Sequence, residues 1–272
     1  MTEIKKEFKL PNEISKVDNA QTRDLVIISI PKVGKSALLG SLTESKNALI
    51  FDLEKHGYDF IPARKISIYD SNETTLWQAF QNYIKYRDLL LENKGKYDYL
   101  CIDGLSDLDI LSEIGGTLLY MNSVQGKSFN VENGKKLEYG DPKFKLVTTL
   151  PDGAGFQHSR NWFLQQIEYF RQISPQRIYA AHVMDKLIRE NQKEEVAGSE
   201  IALTGKLKTI FAAKVTALAK LTAEDNKRYL SFDVANNGII AGSRNPKLQG
   251  KILISERDKD GKIKTFWENI YN

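Results

Sequence analysis

The chain has little cysteine and no long apolar run. Cys101 is the only cysteine among 272 residues, so no intrachain disulfide can form. It lies in a short apolar run, and we expect it to be a buried small hydrophobic residue. No stretch of about 18 apolar residues occurs, which predicts no transmembrane helix. The polar start of the chain has no apolar segment typical of a signal peptide. These absences favour a cytoplasmic protein without a membrane partner.

Histidine is also scarce, and neither sign of charge dominates. Two of the three histidines, His56 and His158, show no metal-ligand spacing, so we expect no zinc site. Lys and Arg number 39 against 35 Asp and Glu, a formal net charge of +4. This mild excess is at least as typical of a solvated surface as of a nucleic-acid interface. The length fits one large domain or two small ones.

The most informative segment is 25–39, where an apolar run, a short loop and a helical pattern follow one another. The loop ends in Gly34, Lys35 and Ser36, which match the end of the phosphate-binding pattern G-x-x-x-x-G-K-[ST]. Ser29 stands where that pattern has its first glycine, which lowers the specificity of the match. The predicted nucleotide-binding residues are Ser29, Pro31, Lys32, Val33, Gly34, Lys35, Ser36 and Ala37.

The residue types in this loop suit a nucleotide. Gly34 lets the backbone approach a phosphate without a side chain in the way. Loop amides and the following helix N-terminus direct partial positive charge at the anion. Lys35 can reach the β- and γ-phosphates, and the Ser36 hydroxyl can ligate Mg²⁺. The alternative is a chance strand, turn and helix that contains a lysine.

Short apolar runs alternate with helical patterns along the rest of the chain. We expect strands at 25–30, 47–52, 66–69, 97–103 and 177–182, with late strands at 215–221, 229–234 and 251–255. We expect helices at 36–42, 72–93, 107–121 and 159–173, the last with Ser159 as its N-cap. This order predicts an α/β fold with a mostly parallel central sheet, flanking helices and antiparallel late strands.

Polar segments suggest the domain boundaries. Residues 1–23 are predicted to form an N-terminal arm and 256–272 a C-terminal tail, which leaves 24–255 as the core. Within the core, 122–155 carries turn signals, and 184–200 is charged without an apolar period. We expect both to be mobile loops or insertions.

Three polar side chains lie at or just after the ends of predicted inner strands, where a parallel sheet binds its ligand. Asp103 is predicted to hold Mg²⁺ with Ser36, and the alternative is a helix N-cap. Glu54 is predicted to polarise the attacking water, and the alternative is an exposed loop acid beside Lys55. His182 is predicted to sense the γ-phosphate, and the alternative is a hydrogen-bonded structural histidine.

Basic residues lie in and after the charged segment 184–200. The candidates for nucleic-acid contact are Lys186, Arg189, Lys193 and Lys206. Flexible basic segments can follow a phosphate backbone. A solvated charged loop is an equally good interpretation, because neighbouring glutamates offset the positive charge.

Together these motifs resemble the RecA-like ATPase core, in particular the small phage ATPases that accompany single-strand annealing and recombination proteins. The resemblance runs from about 25 to 255 and rests on 31–36, 51–54, 103–106 and 181–182. It implies a RecA-like P-loop fold and hydrolysis of ATP with Mg²⁺, with Glu54 as the catalytic glutamate. It also implies action on single-stranded DNA as a homo-oligomer in the host cytoplasm, alongside a phage annealing or single-strand-binding protein.

The resemblance extends to 242–246, which recurs near the end of similar phage ATPases. It implies that Arg244 acts across a subunit interface on the neighbour's γ-phosphate. The alternative is an arginine that stabilises the turn before Pro246. One departure concerns His182, because RecA has a glutamine there.

A competing hypothesis is a nucleotide-dependent scaffold or regulatory module for a replication or recombination partner, with little hydrolysis. Ser29 in place of the first glycine favours it mildly, and Glu54 disfavours it. A small-molecule kinase is less compatible with the sequence, since no arginine-rich lid segment is found.

Overall fold

The computed structural model describes residues 22–190, 193–233 and 241–271, with the backbone alone for 185–190 and 193–198. The strands are β1 (Asp24–Ser29), β2 (Ala48–Asp52), β3 (Lys65–Ser67), β4 (Tyr99–Asp103), β5 (Val131–Glu132), β6 (Lys135–Lys136), β7 (Gln176–Glu190), β8 (Lys193–Ile201), β9 (Ala217–Glu224), β10 (Lys227–Ser231), β11 (Gly242–Ser243), β12 (Lys251–Arg257) and β13 (Ile263–Thr265). The helices are α1 (Lys35–Ser45), α2 (Leu76–Glu92), α3 (Leu105–Met121), α4 (Gly155–Ile173) and α5 (Leu207–Lys214). Of the predicted arm 1–23, only Thr22 and Arg23 fall within the described residues.

One large sheet organises the chain, in the order β13-β12-β10-β9-β1-β7-β4-β2-β3. The strands from β9 to β3 in this order are parallel. The late strands β10, β12 and β13 are antiparallel. The predicted α/β fold with antiparallel late strands is confirmed. Because the inner strands are parallel, their carboxyl ends meet at one edge of the sheet.

The inner strands are buried on both faces. In β1, Val26 and Ile28 pack with helices α2 to α5, while Leu25 and Ile27 face α1 and the C-terminal segment. A strand covered on both sides carries an uninterrupted apolar run, which is why this one was readable in the sequence. Cys101 in β4 is buried, as predicted. Within the described portion, no helix combines the length and apolarity needed to cross a membrane.

The segment 184–200 is not the loop that its composition predicts. Strand β7 continues past the sheet to Glu190 and pairs with β8 in an antiparallel hairpin, from Val183 opposite Ile201 to Glu190 opposite Lys193. The hairpin is held by backbone hydrogen bonds, so its charged sequence carries no apolar alternation. The segment is thus a hairpin and not an irregular loop, while its mobility and its assignment as an insertion stay predictions.

The C-terminal segment 256–272 also differs from the expected tail. Its strand β13 extends the sheet, and Trp267 and Tyr271 are buried in the core that contains α1. Their rings stack with centroids 6.1 Å apart. This segment therefore covers one face of the sheet and belongs to the core.

Helix α4 begins earlier than predicted, at Gly155, so Ser159 is not its N-cap but a buried residue inside it. The early start depends on a close approach, since a Cβ on Gly155 would lie 1.7 Å from the carbonyl oxygen of Val147. Upstream, within the polar segment 122–155, the Asn130 side chain donates to the carbonyl of Lys145 and accepts from its amide, each at 2.8 Å. That segment contains the small β5–β6 hairpin.

Candidate functional site

The parallel sheet brings the predicted side chains to one edge. Ser29 at the end of β1 lies opposite His182 in β7, and Asp52 at the end of β2 lies opposite Asp103 in β4. Glu54 follows two residues after Asp52. These side chains come from distant parts of the sequence and form one polar cluster.

The loop between β1 and α1 has the backbone shape of a phosphate-binding loop. Lys32 and Gly34 have positive φ angles of 65° and 112°. Turns that include left-handed residues direct successive amides into a concave surface that suits anions. Pro31 and Lys32 are exposed, whereas Ser36 and Ala37 lie in the first turn of α1. The loop is therefore open to a ligand at the helix N-terminus.

Ser29 stands where the usual phosphate-binding pattern has its first glycine, and its side chain makes two hydrogen bonds. Its buried hydroxyl donates to the carbonyl of Ile30 at 2.8 Å and accepts a hydrogen bond from Lys35 Nζ at 3.2 Å. Burial lowers the pKa of Lys35, while the charges of Asp103 and Glu54 act in the opposite direction. Ser29 thus holds the ammonium of the loop lysine, which a glycine could not do.

His182 lies between Lys35 and Glu54. Its Nδ1 atom is 3.4 Å from Lys35 Nζ, and its Nε2 atom is 3.4 Å from Glu54 Oε1. An ammonium can only donate, so Nδ1 accepts and the ring proton lies on Nε2, facing the carboxyl group. Burial, then the charge of Lys35, lowers the pKa of His182. A neutral imidazole therefore links the loop lysine to the acid.

The acids of the cluster have raised pKa values. Burial, with added repulsion from Asp103 and then Asp107, raises the pKa of Glu54 to about 7. Burial and Asp103 likewise raise the pKa of Asp52 to about 7. The side chain of Glu54 is 24% exposed, so it is not the freely exposed loop acid of the alternative interpretation. A carboxyl group with a pKa near the working pH can both take and release a proton.

The side chain of Asp103 is fully buried, and only one of its two carboxylate oxygens has a hydrogen-bond partner among the described residues. Its Oδ2 atom accepts a hydrogen bond of 2.6 Å from the Tyr58 hydroxyl. Its Oδ1 atom has no hydrogen-bond partner among the described residues. Helix α3 begins after Gly104, which occupies the N-cap position, so the N-cap alternative for Asp103 is wrong. An unpaired buried carboxylate oxygen beside a phosphate-binding loop fits a Mg²⁺ ion, which Asp103 and Ser36 would hold.

Sequence reasoning did not assign roles to Tyr58 and Gly104. Tyr58 lies in an irregular segment after β2, 45 residues from its partner Asp103, and nothing local signals the contact. Gly104 has φ 94°, and a Cβ there would lie 2.9 Å from Glu54 Cγ. The signal for Gly104 was present in the sequence, because a glycine directly after a strand-ending aspartate indicates a special backbone position.

Arg228 makes a further contact with the phosphate-binding loop, and the sequence did not predict it. The pairing of β10 with β12 shifts register between Arg228 and Tyr229, and such bulges redirect side chains. The Arg228 Nε atom donates to the carbonyl of Val33 at 2.8 Å. Beside it lies a cleft of about 510 Å³, lined in part by Gly34, Asn226 and Arg257. The outer side of the phosphate-binding loop is therefore open to the remainder of a nucleotide.

The other predicted site residues lie away from this cluster. Arg244 follows β11, which pairs with the start of β9 at the opposite edge of the sheet, and its guanidinium donates to the carbonyl of Ala213. This is the kind of contact expected of a turn-stabilising arginine. Lys206 is exposed at the start of α5. Lys186, Arg189 and Lys193 lie on the β7–β8 hairpin, and their side chains are outside the described residues.

Comparison with known proteins gives one family match. The sequence profile of the AAA domain family (AAA_24) matches residues 21–245. Among solved structures, the chain is similar to a KaiC-like protein from the hyperthermophilic archaeon Pyrococcus horikoshii, with 8% identity, a TM-score of 0.36 and coverage of 90% of this chain and 89% of that one. No curated protein matches the sequence. The profile match spans the phosphate-binding loop and the ends of β1, β2 and β4, together with His182 in β7.

Proposed function

The chain belongs to the AAA domain family, and from that premise we propose that it hydrolyses ATP with Mg²⁺ and acts on single-stranded DNA. The observation that carries this proposal is the contact of His182 with both Lys35 and Glu54. It joins a phosphate-binding lysine to a candidate base through one neutral side chain. Burial and Asp103 raise the pKa of Glu54 to about 7, which suits a group that takes up and releases a proton.

Each residue of the cluster has a role in the proposed hydrolysis. Lys35 and the loop amides bind the phosphates, and Ser36 and Asp103 would hold the metal. Bound Mg²⁺ neutralises charge on the phosphate oxygens. Glu54 as a carboxylate accepts a proton from the attacking water. The γ-phosphate competes with Ser29 and His182 for the Lys35 ammonium, so nucleotide binding changes the contacts of His182.

The backbone supports a link from the nucleotide to the hairpin. The carbonyl of His182 accepts a hydrogen bond of 2.9 Å from the amide of Ala202, just after β8. The Ser106 hydroxyl at the start of α3 donates to the carbonyl of Ala202, also at 2.9 Å. A change at His182 therefore acts at the base of the hairpin that carries Lys186 and Arg189. This supports the assignment of the hairpin's basic residues, with Lys206, to DNA contact.

We extend the proposal to assembly and partners. The chain works as a homo-oligomer in which Arg244 approaches the γ-phosphate of a neighbouring copy. Its position at the edge opposite its own phosphate-binding loop supports a role between copies over a role within one. The proposed setting is phage recombination or replication, with an annealing or single-strand-binding protein as partner.

The test is ATP turnover measured with and without single-stranded DNA, with Lys35→Ala as the blank. We expect slow turnover alone and faster turnover on DNA, and neither in the blank. Tight nucleotide binding without turnover in both conditions would support the scaffold hypothesis instead. If neither the rate nor the oligomer size responds to DNA, the proposed action on DNA is wrong.

A further inference from the structure

A second cavity lies where α3, α4 and the turn before α5 meet. It spans about 490 Å³, a volume that includes the solvent at its open side. Its walls include the side chains of Glu113, Phe156, Ser159, Arg160, Thr204 and Lys206. None of these except Lys206 was singled out in the sequence for binding. The cavity lies beside the segment that follows the β7–β8 hairpin.

Ser159 gives this cavity an unmet polar group. The residue is 6% exposed, and its Oγ atom has no hydrogen-bond partner among the described residues. It is buried because α3 and α4 approach closely, so that a Cβ on Gly116 would lie 2.6 Å from the Ser159 amide nitrogen. A buried hydroxyl without a partner is costly to the fold. Its Oγ atom is shielded from solvent, so a polar group entering the cavity would bond it once the side chain turns towards the cavity.

Two carboxyl groups lie one helical turn apart in α3, and only one of them accepts a hydrogen bond among the described residues. Asp109 accepts a hydrogen bond of 2.7 Å from the amide of Thr204, so it fixes the turn before α5. Glu113 has no hydrogen bond or ion pair through its carboxyl group within the part of the chain that the structure describes. Burial and then Asp109 raise the pKa of Glu113. Glu113 is therefore the acceptor that remains for a ligand.

The other residues that line the cavity restrict the chemical class of that ligand. Phe156 offers an aromatic ring that is 44% exposed. Arg160 and Lys206 add positive charge at the walls, which would repel a basic peptide side chain drawn to Glu113. A nucleotide of a single strand suits all of these groups at once, because it joins a planar base with hydrogen-bond donors to an anionic phosphate.

Resting on the proposed action on single-stranded DNA, we propose that this cavity receives one base of the strand. Phe156 stacks on the base, and Glu113 accepts a hydrogen bond from its amino group. The Ser159 hydroxyl bonds the base edge, and Arg160 and Lys206 contact the adjacent phosphates. Cytosine offers an amino group where thymine offers a carbonyl oxygen. The cavity therefore favours cytosine over thymine.

The test is equilibrium binding of the full chain, with a slowly hydrolysed ATP analogue, to labelled oligo(dC) and oligo(dT) of about 15 nucleotides at one fixed salt concentration. We expect oligo(dC) to bind about tenfold more tightly than oligo(dT). Glu113→Gln should bring the two within about twofold, because an amide can donate to thymine as well as accept from cytosine. Glu92→Gln, on the exposed end of α2, is the matched control and should keep the preference.

A second variant tests the stacking without disturbing the helix packing. Phe156→Leu should weaken binding of both oligonucleotides by about tenfold. Replacing the bases by abasic sites should weaken binding to the wild type but have little effect on Phe156→Leu. Equal binding of oligo(dC) and oligo(dT) by the wild type, or a preference that persists in Glu113→Gln, overturns the cavity assignment and leaves DNA action intact. Failure of the wild type to bind any oligonucleotide overturns both proposals.

Discussion

The Nε2 atom of His182 lies 3.4 Å from the Oε1 atom of Glu54, and its other ring nitrogen faces Lys35. Glu54 follows the end of β2 and His182 lies in β7, and the parallel pairing of β2, β4 and β7 brings them together. Because the pKa of Glu54 is about 7, this carboxyl group changes its charge within the working pH range.

The first prediction concerns pH. Glu54 accepts a proton only when ionised, so wild-type turnover should rise as the pH increases through about 7. Glu54→Gln should lower kcat by about 10²–10⁴-fold while ATP still binds. The measurements are kcat from about pH 5.5 to 8.5 and nucleotide affinity at one pH. A flat wild-type profile, or a variant with full turnover, would show that Glu54 is not the base.

The second prediction concerns stability. The pKa of Asp52 is raised from 3.8 to about 7 in the fold by burial and by Asp103. The folded state thus holds this proton more tightly than the unfolded chain, and the stability of the wild type falls as the pH rises from about 4 to 7. Asp52→Asn should raise the free energy of unfolding by about 1–3 kcal/mol near pH 8.

The gain from Asp52→Asn should shrink as the pH falls towards 4, where the wild-type carboxyl is protonated in the fold. Denaturant unfolding at about pH 5 and pH 8 measures both values. A variant that is less stable than the wild type at the higher pH would contradict the assigned cause, which is the burial of a negative charge next to Asp103.

The third prediction separates backbone strain from displacement of a side chain. Gly104→Ala places a Cβ 2.9 Å from Glu54 Cγ at a residue with φ 94°. We expect a loss of about 1–3 kcal/mol in stability and at least about a tenfold loss of turnover, because Glu54 must move.

Gly95→Ala is the matched control for Gly104→Ala. Its φ is 79°, and nothing lies within 4 Å of the added Cβ. It should show a similar loss of stability with turnover unchanged. If both variants lose turnover equally, the effect comes from general destabilisation and not from Glu54.

The fourth prediction concerns the support of Asp103. Tyr58→Phe removes the donor to Asp103 Oδ2 and leaves a buried carboxylate with less solvation. The free energy of unfolding should fall by about 1–3 kcal/mol. Tyr86→Phe, whose ring packs edge-on against Phe51, is the control and should lose less. In the Asp103→Asn background the loss from Tyr58→Phe should become smaller, and a strictly additive double variant would contradict direct coupling.

Much of the fold was readable because the inner strands are buried on both faces. The uncharged runs that end at Ser29, Asp52 and Asp103 marked strands, and the rule for parallel sheets predicted that their ends converge. The phosphate-binding loop was readable because its chemistry requires glycine, lysine and serine in sequence. The catalytic, metal and DNA roles assigned to these residues stay predictions.

The features that the sequence did not predict, which are the β7–β8 hairpin and the contacts of Tyr58 and Arg228, have a common physical origin. The β7–β8 hairpin is held by backbone hydrogen bonds, which its side-chain pattern does not report. Tyr58 contacts Asp103 across 45 positions, and Arg228 contacts Val33 across 195. Such contacts are set by the packed structure and not by local periodicity. The sequence therefore predicted the elements well and the contacts that orient the site poorly.

The length of β7 has a mechanical consequence. Strand β7 passes from the central sheet through His182 to Glu190, with one register shift in its pairing with β8, between Lys186 and Leu187. Eight residues at about 3.3 Å each form a lever of about 26 Å. A tilt of about 5° at His182 would move the far end by about 2 Å, comparable to the shifts by which protein switches operate. A hydrogen bond exchanged at one imidazole can thus be amplified into a displacement of the hairpin.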